Sequence, residues 1–341
     1  MHASLLGRVI DGMGEPIDGR GPLQKGIAYP LAGKVSNCMA RPVIEDQLDV
    51  GIRCINSLLP IGKGQRMGIF AGSGVGKSTL LGMMARYTTA DVNVIALIGE
   101  RGREVNEFIE GELGAEGLAH SVVVVVTSDQ PPTVRMRGAY IACAVAEFFR
   151  DQGKDVLLMM DSVTRFAMAA REVYLAAGEP PTTKGYTPSV FSHLPRLLER
   201  AGNFQKASIT GIYSVLVEGG DMEDPIADSV RSILDGHIVL DRSLTQKRHY
   251  PAIDVLKSVS RLESRLHSEE DKILTSRLIR TLSHYRQSED MIHIGAYVRG
   301  SHAETDYAMD MIEPINDFLR QGVEEKCTIA QAREALAALF Q

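Results

Sequence analysis

The sequence predicts an α/β fold with a mainly parallel sheet, followed by a small helical C-terminal domain. Short runs rich in Val, Ile and Leu alternate with longer helix-like segments between residues 66 and 241. The run 122–126 is five consecutive valines, which is typical of a strand buried on both faces of a parallel sheet. Strand patterns stop after residue 261. Such an alternation predicts an open sheet covered by helices.

The predicted elements follow from the local patterns in chain order. Apolar, β-branched runs predict strands at 66–70, 92–98, 121–127, 155–160, 208–217 and 236–240. Segments with helical spacing of apolar residues lie between them at 77–87, 103–112, 133–151 and 165–177. Three more helices are predicted near the C-terminus, at 268–286, 304–320 and 329–340.

The length of 341 residues indicates about two domains. Residues 1–50 are punctuated by Gly and Pro, which predicts lead-in strands and loops before a core domain. Residues 51–261 carry the strand–helix alternation, and residues 262–341 form the predicted helical domain.

Composition excludes several classes of protein. The net charge of −6, from 37 basic and 43 acidic residues, argues against a strongly basic nucleic-acid binder. No apolar run approaches the roughly 20 residues of a membrane span, and the N-terminus lacks a secretion-signal pattern. The four cysteines and nine histidines are scattered, which predicts reduced thiols and no structural metal. These features indicate a cytoplasmic protein.

The most specific motif is A-G-S-G-V-G-K-S-T at residues 71–79. It follows a predicted strand and opens a predicted helix, as a phosphate-binding P-loop requires, with Ala71 in place of the usual first glycine. Glycines let backbone N–H groups turn toward phosphate oxygens, and we expect Lys77 to reach the β- and γ-phosphates and Ser78 to bind Mg²⁺. The expected nucleotide contacts are Gly72, Ser73, Gly74, Val75, Gly76, Lys77, Ser78 and Thr79.

Acidic residues follow two other predicted strands. Asp161 ends an apolar strand and is expected to hold the water shell of the metal. Glu100 follows another strand and is a candidate general base for the attacking water. Glu104 is a candidate for ordering a metal-bound water, and Arg101 for steadying a phosphate. From the residues alone, a capping loop with surface ion pairs explains Glu100 to Glu104 equally well.

Several long motifs resemble one known family. The segment 98–108, I-G-E-R-G-R-E-V-N-E-F, resembles a loop of the catalytic subunits of rotary ATPases. Together with the other motifs, it resembles the ATPases of bacterial type III secretion and flagellar export, over essentially the whole chain from Leu5 onward. This resemblance implies a RecA-like P-loop core that hydrolyses ATP with Mg²⁺ and powers or primes protein export. The more specific motifs are 161–174, 178–191, 194–201, 224–228, 233–239 and 250–255.

The resemblance assigns roles to single residues near the phosphate loop. Lys77 and Ser78 match the family's Walker A pair, and Asp161 matches its Walker B acid. Glu100 matches the catalytic carboxylate, and Glu104 matches a metal position.

Residues farther along the chain complete the implied site. Tyr250 matches an aromatic that packs on adenine, and Gln321 falls at the adenine pocket. Arg261 matches an arginine finger that reaches the nucleotide of the neighbouring subunit, a contribution of about 10³–10⁵ in rate. Arg165 follows Asp161 by four residues on one helix face and is expected to brace the site.

The resemblance also implies a homohexameric ring with catalysis at subunit interfaces. Family members carry an N-terminal β-barrel domain before the segment that begins at Leu5, so we expect a shortened chain that is monomeric and weakly active. The implied partners are a stator-like regulator, a central stalk protein, the export gate and chaperone–substrate complexes, with no nucleic acid. The implied location is the cytoplasmic face of the inner membrane.

Two other functions share a P-loop core. One is a RecA-like nucleic-acid motor, such as a helicase or termination factor, and the other is a rotary ATPase subunit. The acidic balance argues against the nucleic-acid motor. Intact Lys77, Glu100 and Arg261 argue against a ring subunit that only binds nucleotide. Because residues 262–341 carry nine basic and fourteen acidic side chains, we expect the helical domain to offer an acidic surface to a basic partner.

Overall fold

The computed structural model describes residues 1–33, 37–217 and 221–341. Its centre is a sheet of nine strands, and the sheet carries the site described below. The strands are β1 (Val9–Asp11), β2 (Arg66–Ala71), β3 (Val92–Glu100), β4 (Ser121–Thr127), β5 (Val156–Asp161), β6 (Gly202–Asn203), β7 (Ser208–Leu216), β8 (Gly236–Leu240) and β9 (Val259–Ser260).

The strand order is β1-β4-β3-β5-β7-β2-β8-β9, and β6 pairs with β7 at the side of this path. All neighbours from β1 to β8 are parallel, whereas β6 and β9 are antiparallel to their partners. The prediction of a mainly parallel sheet is therefore confirmed. Each predicted strand is present, with its ends shifted by two residues at most. Because the strands are parallel, the loops after β2, β3, β5, β7 and β8 meet at one edge, called the carboxyl edge here.

Helices cover the sheet and form the C-terminal region. A π-helical segment, Phe108–Leu113, lies between two of the α-helices. The helices are α1 (Arg53–Leu58), α2 (Lys77–Tyr87), α3 (Gly102–Glu107), α4 (Gly114–Ala119), α5 (Pro132–Asp151), α6 (Val163–Ala176), α7 (Pro188–Leu198), α8 (Pro225–Ile233), α9 (Arg242–Gln246), α10 (Glu263–Leu266), α11 (Glu269–His293), α12 (Ala303–Leu319) and α13 (Ile329–Ala338).

Two apolar clusters lie on opposite faces of the sheet. Successive side chains of a strand point to opposite faces, so Val94 and Ala96 of β3 join the cluster beneath α5 and α6. Ile95 and Leu97 join the second cluster beneath α2. This second cluster continues into the C-terminal helices through Leu278, Ile315 and Leu336. The helical C-terminal region is thus packed on the same face as the phosphate-loop helix.

The structure corrects the predicted helix 103–112. The helix begins at Gly102, changes to π winding at Phe108 and returns to α winding from Gly114 to Ala119. A pattern of 3.6 residues per turn contains no signal for the wider π turn, which is set by tertiary contacts.

Several short elements have no bounds in the sequence-based assignment. Strand β1 is one of the lead-in strands expected within residues 1–50, and it joins the sheet beside β4, pairing Val9 with Val123. Helices α1, α9 and α10 have four to six residues, too few for a periodic pattern to reveal them. Among the described residues, no helix is both long and apolar enough to cross a bilayer.

Candidate active site

The phosphate loop lies at the carboxyl edge, between the end of β2 and the start of α2. Gly74 and Gly76 have φ values of 74° and 88°, a left-handed conformation that favours glycine. No heavy atom lies within 4 Å of a Cβ built on Gly74, so the space beside this glycine is open. Val75 is buried and anchors the loop, whereas Ser73 and Ser78 are exposed. This geometry fits a loop that binds phosphates through its backbone.

Lys77 and Asp161 form the central ion pair of the site. Lys77 begins α2, and its Nζ donates to Oδ1 of Asp161 at the end of β5. Ser214 of β7 is fully buried and donates its hydroxyl hydrogen to the same carboxylate oxygen at 2.6 Å. Residues of α2 and β7 therefore both contact one carboxylate oxygen at the end of β5.

Glu100 is the last residue of β3 and lies beside this pair. Its Oε1 is buried and has no hydrogen-bond partner among the described residues. Burial raises the pKa of Glu100 to about 7, and the negative charge of Asp161 and the Glu104 side chain act in the same direction, while Lys77 and Arg165 lower the pKa. A carboxylate with a pKa near the working pH is suited to accept a proton from water.

Arg165 is the basic residue that faces Glu100. Its Nε is buried without a hydrogen-bond partner among the described residues, and its Cβ would lie 2.9 Å from a Cβ at Gly99. A second arginine, Arg101, was expected from the sequence to steady a phosphate. Its side chain is 76% exposed and pairs with Glu104 at 3.1 Å. Arg165, the residue expected to brace the site, therefore acts on Glu100 through its charge, whereas the exposed Arg101 side chain pairs with Glu104.

The side chain of Thr79, one of the expected nucleotide contacts, binds Glu112. Its hydroxyl donates to Oε1 of Glu112 at 2.7 Å, because the π-helical segment packs against α2. The prediction that Thr79 contacts nucleotide therefore applies to its backbone N–H group alone. Glu112 was missed by the sequence analysis, which had no signal for the π turn that carries it.

Tyr250 lies beside the phosphate loop. Its ring is 3.9 Å from the position of a Cβ at Gly76, and the residue is 44% exposed. An aromatic face that is accessible next to the loop fits the expected packing on adenine.

Gln321 is turned away from that role. Its Nε2 donates to the carbonyl oxygens of Gly51 at 2.8 Å and Glu325 at 2.6 Å, and its Oε1 accepts from Arg53 N at 2.6 Å. Only its backbone N–H group reaches Tyr250, bonding the Tyr250 carbonyl at 2.9 Å. The expectation that the Gln321 side chain lines an adenine pocket is corrected, because its amide group joins backbone segments.

Arg261 lies at the opposite edge of the sheet from the phosphate loop. Strand β9 runs antiparallel to β8 and pairs Ser260 with Gly236 at the start of β8. The phosphate loop follows Ala71, which pairs with Leu240 at the end of β8. The length of β8, roughly 13 Å, therefore separates exposed Arg261 from the loop of its own chain.

The residues present fit a magnesium–nucleotide complex. Among the described residues, no three His, Cys, Asp or Glu side chains form a metal cluster. Mg²⁺ is usually held by one or two protein groups together with substrate phosphates, not by an all-protein cage. The exposed Ser78 hydroxyl and the Asp161 carboxylate are donors of that kind, with Glu104 at the rim.

Comparisons with known proteins identify a nucleotide-binding domain in the part of the chain that carries this site. Residues 51–260 match the nucleotide-binding domain of the ATP synthase alpha/beta family, and residues 267–338 match the T3SS EscN ATPase C-terminal domain. A flagellum-specific ATP synthase of Bacillus subtilis is 57% identical, with 98% of this chain and 76% of that protein covered. A type 3 secretion system ATPase of Xanthomonas euvesicatoria is 52% identical at the same coverages.

A solved structure shows the same fold. The assembled ATPase EscN of enteropathogenic E. coli, in complex with its central stalk EscO, superposes with a TM-score of 0.93 at 46% identity, covering 99% of this chain and 82% of that chain. The phosphate loop, the Lys77–Asp161 pair and both family matches lead to one conclusion. The chain belongs to the ATP synthase alpha/beta family, in the branch of nucleotide-binding ATPases that serve type III secretion and flagellar protein export.

Proposed function

We propose that this ATPase hydrolyses ATP, with Mg²⁺ as cofactor, at the carboxyl edge of its sheet, and that Glu100 is the general base. The observation that carries the proposal is the unpartnered, buried Oε1 of Glu100 beside the Lys77–Asp161 pair. A basic oxygen without a hydrogen-bond donor, next to a phosphate loop, is positioned for a water molecule.

Nucleotide binding uses the phosphate loop and Lys77. The backbone N–H groups of residues 72–79 surround the phosphates, and the N-terminus of α2 adds a partial positive charge. Lys77 Nζ moves from Asp161 to a phosphate oxygen, while Ser214 continues to hold the Asp161 carboxylate. Tyr250 provides a ring beside the loop for the adenine.

Hydrolysis requires charge stabilisation and proton transfer. Mg²⁺, when bound, neutralises charge that develops on the phosphates, and Ser78 and Asp161 would hold it, with Glu104 ordering a water. Glu100 Oε1 accepts the proton of the attacking water. Arg165 stabilises the ionised form of Glu100, since its charge lowers the pKa of that carboxyl.

A second subunit completes the site. Because Arg261 lies about one strand length from its own phosphate loop, it supplies its charge to the nucleotide of a neighbouring chain. This arrangement requires a ring, for which we propose a homohexamer. EscN is solved in an assembled form with its stalk EscO, which supports a ring and a central stalk partner here as well.

The energy of hydrolysis serves protein export in this proposal. The ring acts at the cytoplasmic face of the inner membrane, where it releases and unfolds chaperone-bound substrates for an export gate under the control of a stator-like regulator. The relationship to flagellum-specific and type III secretion ATPases supports this role.

Two substitutions test the assignment of the site. Lys77→Ala should abolish nucleotide binding, because it removes the phosphate-binding charge. Glu100→Gln should keep binding but lose turnover by about 10²–10⁴, the usual contribution of a general base. Binding is measured with a fluorescent ATP analogue and turnover by phosphate release. Glu107→Gln, on exposed α3, is the matched control and should behave like the natural chain. Turnover by Glu100→Gln at the natural rate would refute the proposal.

A further inference from the structure

The helical run after Glu100 changes its winding halfway along. It begins as α3, continues as the π-helical segment Phe108–Leu113 and ends as α4. Phe108 and Leu113 are buried and fix both ends of the segment in the core. A π turn is rare, is less favourable than an α turn and occurs often at functional sites. Packing against α2 maintains the turn here.

Glu112 makes the polar contact between this segment and α2. Its Oε1 accepts a hydrogen bond from Thr79 Oγ at 2.7 Å. Thr79 directly follows Lys77 and Ser78, the two residues of α2 proposed to hold phosphate and metal. The contact therefore joins the π-helical segment to the first turn of the phosphate-loop helix.

Gly82 allows the two elements to approach this closely. It lies three residues after Thr79, on the same side of α2. A Cβ at Gly82 would lie 2.7 Å from the Cβ of Glu112 and 2.9 Å from its carbonyl oxygen. Both distances are too short for a real Cβ, and the second involves backbone, which does not move aside easily. A steric contact and a hydrogen bond thus fix the same residue.

We propose that Glu112 is a positioning residue for hydrolysis, which holds the helical run that follows Glu100 and carries Glu104 in register with the phosphate-loop helix. The inference rests on the proposed role of Glu100. Since α3 and the π-helical segment are continuous, a shift at Glu112 moves the helix that carries Glu104 and that begins two residues after Glu100. Lys77 and the loop glycines are held by β2 and α2, so nucleotide binding does not depend on this contact.

Removal of the contact should therefore lower turnover without weakening nucleotide binding. Glu112→Ala and Thr79→Val are each expected to lower kcat about tenfold, the effect of losing one hydrogen bond to a charged group. The Kd of a fluorescent ATP analogue should stay within about threefold, since hydrogen bonds in the phosphate cradle come from backbone. Gly82→Ala should reproduce the kcat loss by displacing Glu112 sterically.

Conservative and matched variants distinguish positioning from general loss of structure. Glu112→Gln retains an oxygen that accepts from Thr79 and should recover most of the kcat lost in Glu112→Ala. Glu110→Ala removes the same charge from an exposed position of the same π-helical segment and should match the natural chain. In the double variant Thr79→Val/Glu112→Ala, the loss should not exceed that of one single variant, because both remove one interaction.

The measurements are steady-state kcat, analogue Kd and thermal melting temperature for the full chain at equal concentrations. The proposal is overturned if Glu112→Ala turns over like Glu110→Ala, if the single losses multiply, or if Kd rises as much as kcat falls. If Glu112→Ala melts below the assay temperature, the Thr79→Val and Gly82→Ala results decide by the same criteria. If Glu112→Ala turns over at the natural rate while Glu100→Gln is inactive, only the inference about Glu112 is refuted. If Glu100→Gln turns over at the natural rate, the proposed general base is refuted.

Discussion

The protonation of Glu100 is the residue-scale property that controls the chemistry. Burial raises its pKa to about 7, so the carboxyl is mostly protonated, and unable to accept a proton, below that pH. We expect kcat/KM for Mg²⁺–ATP, which reports the free enzyme, to rise about tenfold per pH unit below pH 7 and to level off above it. The measurement is kcat/KM from pH 5.5 to 8.5, with analogue binding followed in parallel to correct for titration of the nucleotide.

A substitution at Arg165 checks the origin of this pH dependence. The Arg165 charge lowers the pKa of Glu100, so Arg165→Gln should move the midpoint of the kcat/KM profile to higher pH. Arg103→Gln changes an exposed arginine of α3 and should leave the midpoint in place. A flat profile in the natural chain would contradict the assignment of Glu100.

At the scale of elements, the junction between the end of α12 and the start of α1 depends on the Gln321 amide. Gln321→Leu leaves the Gly51 and Glu325 carbonyls and the Arg53 N–H group without this partner. The Gly51 carbonyl keeps its hydrogen bond from Cys327 N at 3.1 Å, so two groups lose a partner, at a cost of about 1–3 kcal/mol each. We expect the free energy of unfolding in urea to fall by about 3 kcal/mol, with analogue affinity little changed.

The control for this prediction is Gln287→Leu, on an exposed position of α11. It should leave the free energy of unfolding within about 0.5 kcal/mol of the natural value. If Gln321→Leu instead weakened analogue binding without changing stability, the side chain would have the adenine role first expected from the sequence.

The whole molecule is expected to work only as an assembly, because the sheet separates Arg261 from its own phosphate loop. Two inactive variants should therefore restore activity when mixed. In rings of Lys77→Ala and Arg261→Ala chains, a site with an intact phosphate loop and an intact arginine forms at about a quarter of the interfaces. Phosphate release at increasing chain concentration measures this recovery.

The control mixes Arg261→Ala chains with the double variant Lys77→Ala/Arg261→Ala, in which no interface has both groups. Specific activity of the natural chain should also rise with concentration. Equal specific activity at all concentrations, together with no recovery in the first mixture, would show that Arg261 does not act between chains.

The sequence by itself determined the local features of this protein. The strands, the main helices and the phosphate loop depend on short-range periodicity and on glycine at positions 74 and 76, so they were predictable. The proximity of Lys77 and Asp161 was also predictable, since both follow strands of a parallel sheet and the carboxyl ends of such strands meet at one edge. Glu100 also follows such a strand, but from the residues alone a capping loop explained it equally well.

Tertiary structure decided what depends on contacts between distant segments. Burial beside Asp161 sets the pKa of Glu100, the Thr79–Glu112 contact and Gly82 accompany the π turn, and the Gln321 amide joins segments about 270 residues apart. The antiparallel course of β9 places Arg261 away from its own site. Periodicity along a chain shows which face of an element is buried. It does not show which atoms are in contact there, and those contacts determine the chemistry.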